Sequence, residues 1–296
     1  MNAFAERIGT FSIPFYVNAI CLWSDSMCQD IRAFILKSRT DSLISRVSNK
    51  KMREPLLFSF IMPIIRGYLQ IAIVLGISLA LVFIIYRLFP VSAELLRKLI
   101  HFTAVGVFIS WLFAFPDWKT AVLSMAVAAT AVTILLRLLE MASLFSFLSK
   151  VTNERKKGEL RKSIGVAGLM FIVVVAVCWG YCGEKSLALA SILAWGPGDG
   201  AAALVGKRFG KTKIGRAKKK SLEGSLSMFA VSWACVFPVL LGYRIFPFQT
   251  ALTISFVTAF VTAAVELAVL NGYDTLFCPL AAMTVLCSGF LFGVHS

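Results

Sequence analysis

The residues best suited to chemistry fall in one stretch. Gly196-Pro197-Gly198-Asp199-Gly200 leads to Gly206-Lys207-Arg208-Phe209-Gly210-Lys211, and then to Lys218-Lys219-Lys220-Ser221-Leu222-Glu223-Gly224-Ser225. Asp199 interrupts an apolar run long enough to cross a bilayer, where a carboxylate is expensive and faces a cavity or a partner. The glycines and Pro197 beside it predict a broken helix whose freed backbone groups meet a ligand. An Asp at such a break can hold Mg2+, which takes one or two carboxylates and keeps water and phosphate as its other ligands. The same spacing also fits a kinked helix with a buried Asp paired to Lys or Arg. Both readings stay open on the residues alone.

Residues 207–220 carry eight basic side chains and no acidic one. A charge run of this kind can be a solvated loop lying on anionic lipid headgroups. Here it follows closely on Asp199, contains spaced glycines and ends at the mouth of the next apolar segment. Backbone N–H groups at a helix N-terminus, with lysines around them, form a site for a polyphosphate. The run is not a Walker A loop, because no Gly-x-x-x-x-Gly-Lys-Ser/Thr stands there. Arg97, Lys98 and His101 share one helix face. They fit either nucleotide contacts or an interfacial His with snorkelling neighbours. The seven cysteines include no Cys-x-x-Cys pair, and small apolar packing is their expected use.

The elements that must hold these groups are set by composition. Of the 296 residues 58% are apolar and only 15% charged, which excludes a disordered chain and a disulfide scaffold. The net charge of +15 would suggest nucleic acid in a soluble protein. Here the basic residues lie between long uncharged stretches, so the expected partners are lipid headgroups and phosphorylated substrates, not nucleic acid. Eight such stretches occur, at 68–86, 99–116, 120–136, 163–183, 186–206, 224–243, 245–265 and 275–296. Each is near the ~20 residues that cross a bilayer as a helix. The expected fold is therefore an all-α polytopic transmembrane bundle of about eight spans, with one discontinuous helix near Asp199.

Residues 1–66 read as an N-terminal extension, partly interfacial or disordered, ahead of a membrane domain at 67–296. Within it, 8–23 is apolar but short, 32–53 is a basic linker, and 55–65 is too short to span. With eight alternating spans, one set of connections carries 18 basic residues and the other three. The positive-inside rule puts the richer set in the cytoplasm or its equivalent. Every motif above falls on that side.

These motifs resemble the phytol, farnesol and dolichol kinase family. The core likeness is Gly-Asp-Gly-x-Ala-x-x-x-Gly-x-x-Phe-Gly-Lys-x-Lys, ending in Lys-Ser-x-Glu-Gly-Ser. Arg97-Lys98-Leu99-Ile100-His101, Gly158-Glu159-Leu160 and Val265-Glu266 with Gly272-Tyr273-Asp274-Thr275 match its outer motifs, although Thr275 replaces the usual Asn. The segment around Lys220–Ser225 is also similar to phosphatidate cytidylyltransferases, which use CTP. The resemblance implies a membrane enzyme that phosphorylates a lipid alcohol, with CTP as donor and Mg2+ as cofactor. It implies a metal at Asp199 with Glu266 or Asp274. Arg97, Lys98, His101, Gly198, Gly200, Lys207, Lys218, Lys219, Lys220, Ser221 and Gly224 would surround the nucleotide. Glu223 or Glu159 would handle the acceptor hydroxyl. The competing readings are a cytidylyltransferase, a transporter with a broken helix at Asp199, and a non-catalytic scaffold. The alcohol itself is not encoded, because lipid pockets are built from interchangeable apolar side chains, and oligomeric state is equally open.

Overall fold

The computed structural model describes residues 45–141, 158–214, 220–269 and 272–293. Lys218, Lys219 and the apolar segment at 8–23 lie outside them. By internal contacts the chain divides into two units, Met1–Ile61 and Met62–Ser296. Of the first, residues 45–61 are helical.

Among the described residues eight helices are long and apolar enough to cross a membrane. They are α1 (Ser45–Leu88), α2 (Ala93–Ala114), α3 (Trp118–Met141), α4 (Glu159–Val175), α5 (Lys185–Phe209), α6 (Leu222–Gly242), α7 (Phe248–Ala268) and α8 (Asp274–Gly293). A π-helical turn, Ala176–Tyr181, extends α4. The all-α multi-pass fold is therefore as expected. The basic stretch from residue 45 onward and the apolar segment at 55–65 are not separate pieces. They join the first span in one helix, which runs on through Pro55 and Pro63; the Lys, Arg, Met and Leu around these prolines are good helix formers.

Local sequence explains the helix starts. The Ser92 hydroxyl caps α2 by accepting from Leu95 N at 3.3 Å, Asp117 Oδ1 caps α3 by accepting from Thr120 N at 2.9 Å, and Ser221 Oγ caps α6 by accepting from Gly224 N at 3.1 Å. Each satisfies an N–H that the first helical turn leaves without a partner. α1 is tied in by Tyr68, which donates to Ser124 O at 3.0 Å and sets its ring edge-on to Trp111 and Phe115.

α5 is the central element. It packs against α2, α4, α6, α7 and α8, and 56% of its apolar window is buried, against 6–39% for the other spans. A helix buried all round is apolar all round, which is why Ser186–Ile192 shows no polar face. The expected break at Asp199 is absent: α5 runs unbroken through Gly196–Gly200 with Pro197 inside it. Pro197 offers no N–H to the carbonyl four residues earlier. On the next carbonyl, Ala194 O, the Ser232 hydroxyl of α6 donates a hydrogen bond.

The glycines do a different job from the one expected. A Cβ at Gly196 would sit 2.6 Å from Val105 of α2, and one at Gly200 would strike the Phe102 ring of the same helix. A Cβ at Gly198 would meet Ser232 and Met228 of α6. Gly206 and Gly224 face each other where α5 leaves α6, and a Cβ at Gly224 would come within 2.8 Å of Ala202 O. Small residues let helix backbones approach closely, the main route to tight packing when lipid supplies no hydrophobic drive between helices. Gly198 and Gly200 are thus turned to neighbouring helices.

The link between α5 and α6 closes into a short antiparallel pair, β1 (Lys213–Ile214) with β2 (Lys220–Ser221), in the register Lys213 to Ser221 and Ile214 to Lys220. No strand is expected from the sequence. Gly198→Val should weaken the α5–α6 contact by overpacking, costing about 1–3 kcal/mol. Thermal unfolding in detergent should show the loss, while Gly165→Ala, inside α4 where a Cβ meets nothing within 4 Å, should leave the midpoint unchanged or raise it slightly, because Ala is the better helix former.

Candidate functional site

Asp199 sits just past the middle of α5, and α2 brings two groups to it. Lys98 Nζ donates to Asp199 Oδ2 at 2.8 Å, with side chains only 9% and 13% exposed. His101, one turn further along α2, places Nε2 3.4 Å from the same oxygen and 3.2 Å from Gly196 O. A carbonyl only accepts, so Nε2 carries the proton in that bond. The imidazole also lies edge-on to the Trp195 ring at 4.8 Å. Of the two readings open on sequence, a paired Asp is the one this structure displays. The pairing depends on Gly196 and Gly200, which bring α2 close enough for Lys98 to reach.

A second buried pair stands beside the first. Lys220 Nζ, at the end of β2, lies 2.8 Å from Glu266 Oε1. It also donates to Glu266 O, and to Val269 O at 3.2 Å. Those carbonyls end α7 and lack helical partners, and a cation is favoured at a helix C-terminus. Asp274 opens α8, where a negative charge suits the helix N-terminus, and its Oδ1 accepts from Thr275 N at 2.9 Å.

The two pairs and Asp274 share one neighbourhood. Glu266 feels the charges of Lys220, Asp199 and Asp274. His101 feels Asp199, Lys98 and Asp274. α2, α5, α7, α8 and the strand before α6 therefore deliver their charged groups to one end of the bundle. Three sequence separations of more than 40 residues close here, and nothing in local spacing announces them.

Other expected site residues have more local roles. Glu223 is half-buried and its Oε1 accepts from the backbone N–H groups of Lys211 and Thr212, each at 3.1 Å. It holds the hairpin onto the start of α6, while its Oε2 is buried without a partner among the described residues. Ser221 is buried and spends its hydroxyl on Gly224 N. Arg97 pairs with Glu94 at the surface, so it does not join Lys98 and His101 at Asp199. Lys207 is exposed in the last turn of α5 and its charge acts on Glu94. Glu159 opens α4, behind a left-handed Gly158 at φ +81°.

Sequence reasoning passes over Trp195 and Phe102, which line the Asp199 neighbourhood from α5 and α2. Trp195 is 1% exposed, with its indole N–H unpartnered among the described residues. Its position one turn before Asp199 is the signal that could have found it.

Among the described residues no three His, Cys, Asp or Glu side chains are grouped to hold a metal. Asp199 and Glu266 each face a lysine instead, so the three carboxylates do not form a ready-made cage. They are nonetheless hard oxygen donors, and Mg2+ asks for only one or two carboxylates when phosphate supplies the rest. The donor set fits that ion.

Plant proteins are similar to this chain. Over 84 residues it is 33% identical to a probable phytol kinase, chloroplastic, of Triticum aestivum, covering 28% of this chain and 27% of that protein. Over 141 residues it is 29% identical to a probable phytol kinase, chloroplastic, of Zea mays, covering 47% and 46%. Over 215 residues it is 27% identical to a probable phytol kinase 1, chloroplastic, of Oryza sativa subsp. japonica, covering 70% and 67%. The chain thus spans about a quarter and just under half of the first two relatives. No family model matches the chain, and no solved structure does.

Breaking a buried pair strands a charge and costs about 3–5 kcal/mol, whereas replacing both partners by apolar groups is close to neutral. Lys98→Met should therefore destabilise the protein strongly, and adding Asp199→Leu should restore most of the loss. Denaturation of the two variants in matched detergent checks this.

Proposed function

We propose that the chain is an integral-membrane kinase that moves the terminal phosphoryl group of a nucleoside triphosphate, CTP by the resemblance, to a lipid alcohol of the phytol, farnesol or polyprenol class. The observation that carries this reading is the meeting of Lys98, His101, Asp199, Lys220, Glu266 and Asp274 at one end of an otherwise apolar bundle. Buried ionisable groups in membrane helices mark functional sites. The similarity to plant proteins named phytol kinases supports the same reaction class.

Phosphoryl transfer asks the protein for positioning and for neutralisation of spreading negative charge. Lys98 and Lys220 each hold a carboxylate in this structure, and phosphate oxygens are partners of the same sign. The lysines bind the donor phosphates, with Lys207, Lys218 and Lys219 at the mouth adding charge. Asp199 and Asp274, with Glu266 as a further donor, would hold Mg2+, which supplies charge neutralisation between the donor phosphates when bound. His101 keeps Asp199 oriented through the shared Oδ2 contact and the Gly196 carbonyl. The buried Oε2 of Glu223, without a partner among the described residues, orients the acceptor hydroxyl, with Glu159 as the second candidate. The alcohol's chain stays in the bilayer while its hydroxyl reaches headgroup level, on the side bearing the basic loops, facing the cytoplasm or its equivalent. Anionic headgroups lie against the same loops.

The test uses purified full-length protein in nanodiscs, a panel of lipid alcohols, and CTP or ATP labelled at either the α- or γ-phosphate. Label should pass to the lipid from the γ-phosphate, and Asp199→Asn should lower turnover by about 100-fold or more with unchanged insertion. Label passing from the α-phosphate would mean cytidylyl transfer, and near-normal turnover of the variant would remove Asp199 from the reaction.

A further inference from the structure

Glu223 holds its charge in a way that the neighbouring basic stretch does not explain. Its Oε1 accepts from two successive backbone N–H groups, those of Lys211 and Thr212, each at 3.1 Å. Lys207, Arg208, Lys211 and Lys213 stand exposed on the same segment. Among the described residues, however, no ion pair includes Glu223, and its Oε2 is buried without a partner. One oxygen thus fills a pair of backbone donors, and the other is kept from water.

The donors are fixed from both sides. Gly210 precedes them, and a Cβ there would lie 2.2 Å from Gly206 O and 2.6 Å from Ser221 Oγ, so glycine alone lets the chain leave α5 this close to the start of α6. Beyond them, Leu222 N donates to Thr212 O at 3.0 Å, and β1 pairs with β2. The two N–H groups are therefore clamped, whereas the Glu223 carboxylate reaches them through rotatable single bonds. Successive N–H groups aimed at one point form an anion site. The first turn of α6 has less to offer, because Leu222 N and Gly224 N are spent on Thr212 O and Ser221 Oγ. Thr212 lies two residues, about 7 Å along the strand, from Ile214, which pairs with Lys220 of the charged site.

We propose that the Glu223 carboxylate is a placeholder, which holds the Lys211 and Thr212 N–H groups until a phosphate of the incoming triphosphate takes them and so releases Glu223 to orient the acceptor hydroxyl. The exchange favours phosphate. A phosphate oxygen takes the same two hydrogen bonds and brings more negative charge to Lys207, Arg208, Lys211 and Lys213. Before the donor arrives the carboxylate stays engaged and its Oε2 stays buried, so the group that serves the alcohol is switched on by the nucleotide. The order of events is nucleotide first and alcohol second. This inference rests on the kinase reading, which supplies both substrates.

The test uses full-length protein in nanodiscs, with tripolyphosphate as the probe and no alcohol present. Amide hydrogen exchange at residues 211 and 212 is resolved by mass spectrometry with electron-transfer fragmentation. Glu223→Ala should speed exchange at both amides, and tripolyphosphate should restore their protection. The same variant should bind tripolyphosphate about 10-fold tighter than the unaltered protein, because no side chain competes for the two charge-assisted hydrogen bonds. Glu223→Gln keeps an acceptor oxygen for the hairpin and should show a smaller gain in affinity, which decides the matter even if the Ala variant does not fold. Glu94→Gln removes a carboxylate that also feels Lys207 and should change affinity by less than about 2-fold. Absence of tripolyphosphate binding, no gain in Glu223→Gln, an equal gain in Glu94→Gln, or amides at 211 and 212 that tripolyphosphate leaves unprotected in Glu223→Ala would overturn the proposal. Phosphoryl transfer to a lipid alcohol alongside any of those results would leave the kinase reading standing. The expected exchange without transfer to any alcohol would remove the kinase reading instead, and with it the release of Glu223 to a hydroxyl.

Discussion

The close approach of α2 and α6 to α5, made possible by side chains reduced to hydrogen, is the contact on which the rest depends. Gly196 and Gly200 admit Val105 and Phe102 of α2, and Gly198 admits Ser232 of α6. In water the drive to pack could come from hiding apolar surface, but lipid tails remove that drive, and van der Waals contact at short range must replace it. The same approach brings Lys98 and His101 into reach of a carboxylate on the facing helix. Close packing and charge pairing with α2 thus come from neighbouring positions in one turn of α5.

The two buried ion pairs are poor devices for stability. Taking four charges out of water costs several kcal/mol for each, and their attraction repays that only in part. An apolar bundle could be held more cheaply by Leu and Phe. What the pairs do provide is lysines that are already desolvated, already positioned and bound to partners of the same sign as a phosphate. Lys220 has a further task, since it closes the C-terminus of α7 through two backbone carbonyls. Glu223 has a comparable one in fastening the hairpin. Several charged groups near the site therefore shape the backbone as well as the local potential.

The bundle was legible in sequence because length and lack of charge alone decide which segments can cross a bilayer. All eight spans appear, displaced at their ends by a few residues where caps such as Asp117 and Ser221 act. The charged groups that meet at one end of the bundle, Asp199, Lys220 and Glu266, could be singled out by residue type, but their pairing could not. Lys98 meets Asp199 across 101 positions and Lys220 meets Glu266 across 46, and no local pattern records such distances. The misjudged feature was the Gly-Pro-Gly-Asp-Gly run. Glycine signals both a broken helix and a close crossing, and only the neighbouring helices distinguish the two. The meeting of Cys287 with Cys178 was hidden for the same reason, because 109 positions separate them.

The central claim is that one end of the bundle, built by α2, α5, β2, α7 and α8, receives a polyphosphate. Photo-crosslinking with an azido-nucleoside triphosphate, followed by peptide mapping, tests it most directly. The account predicts saturable labelling, competed by unmodified nucleotide, on peptides carrying residues 97–101, 199–223 and 266–274. Saturable labelling confined to the opposite end, at 117–120 or 182–185, or labelling that unmodified nucleotide does not reduce, would contradict it.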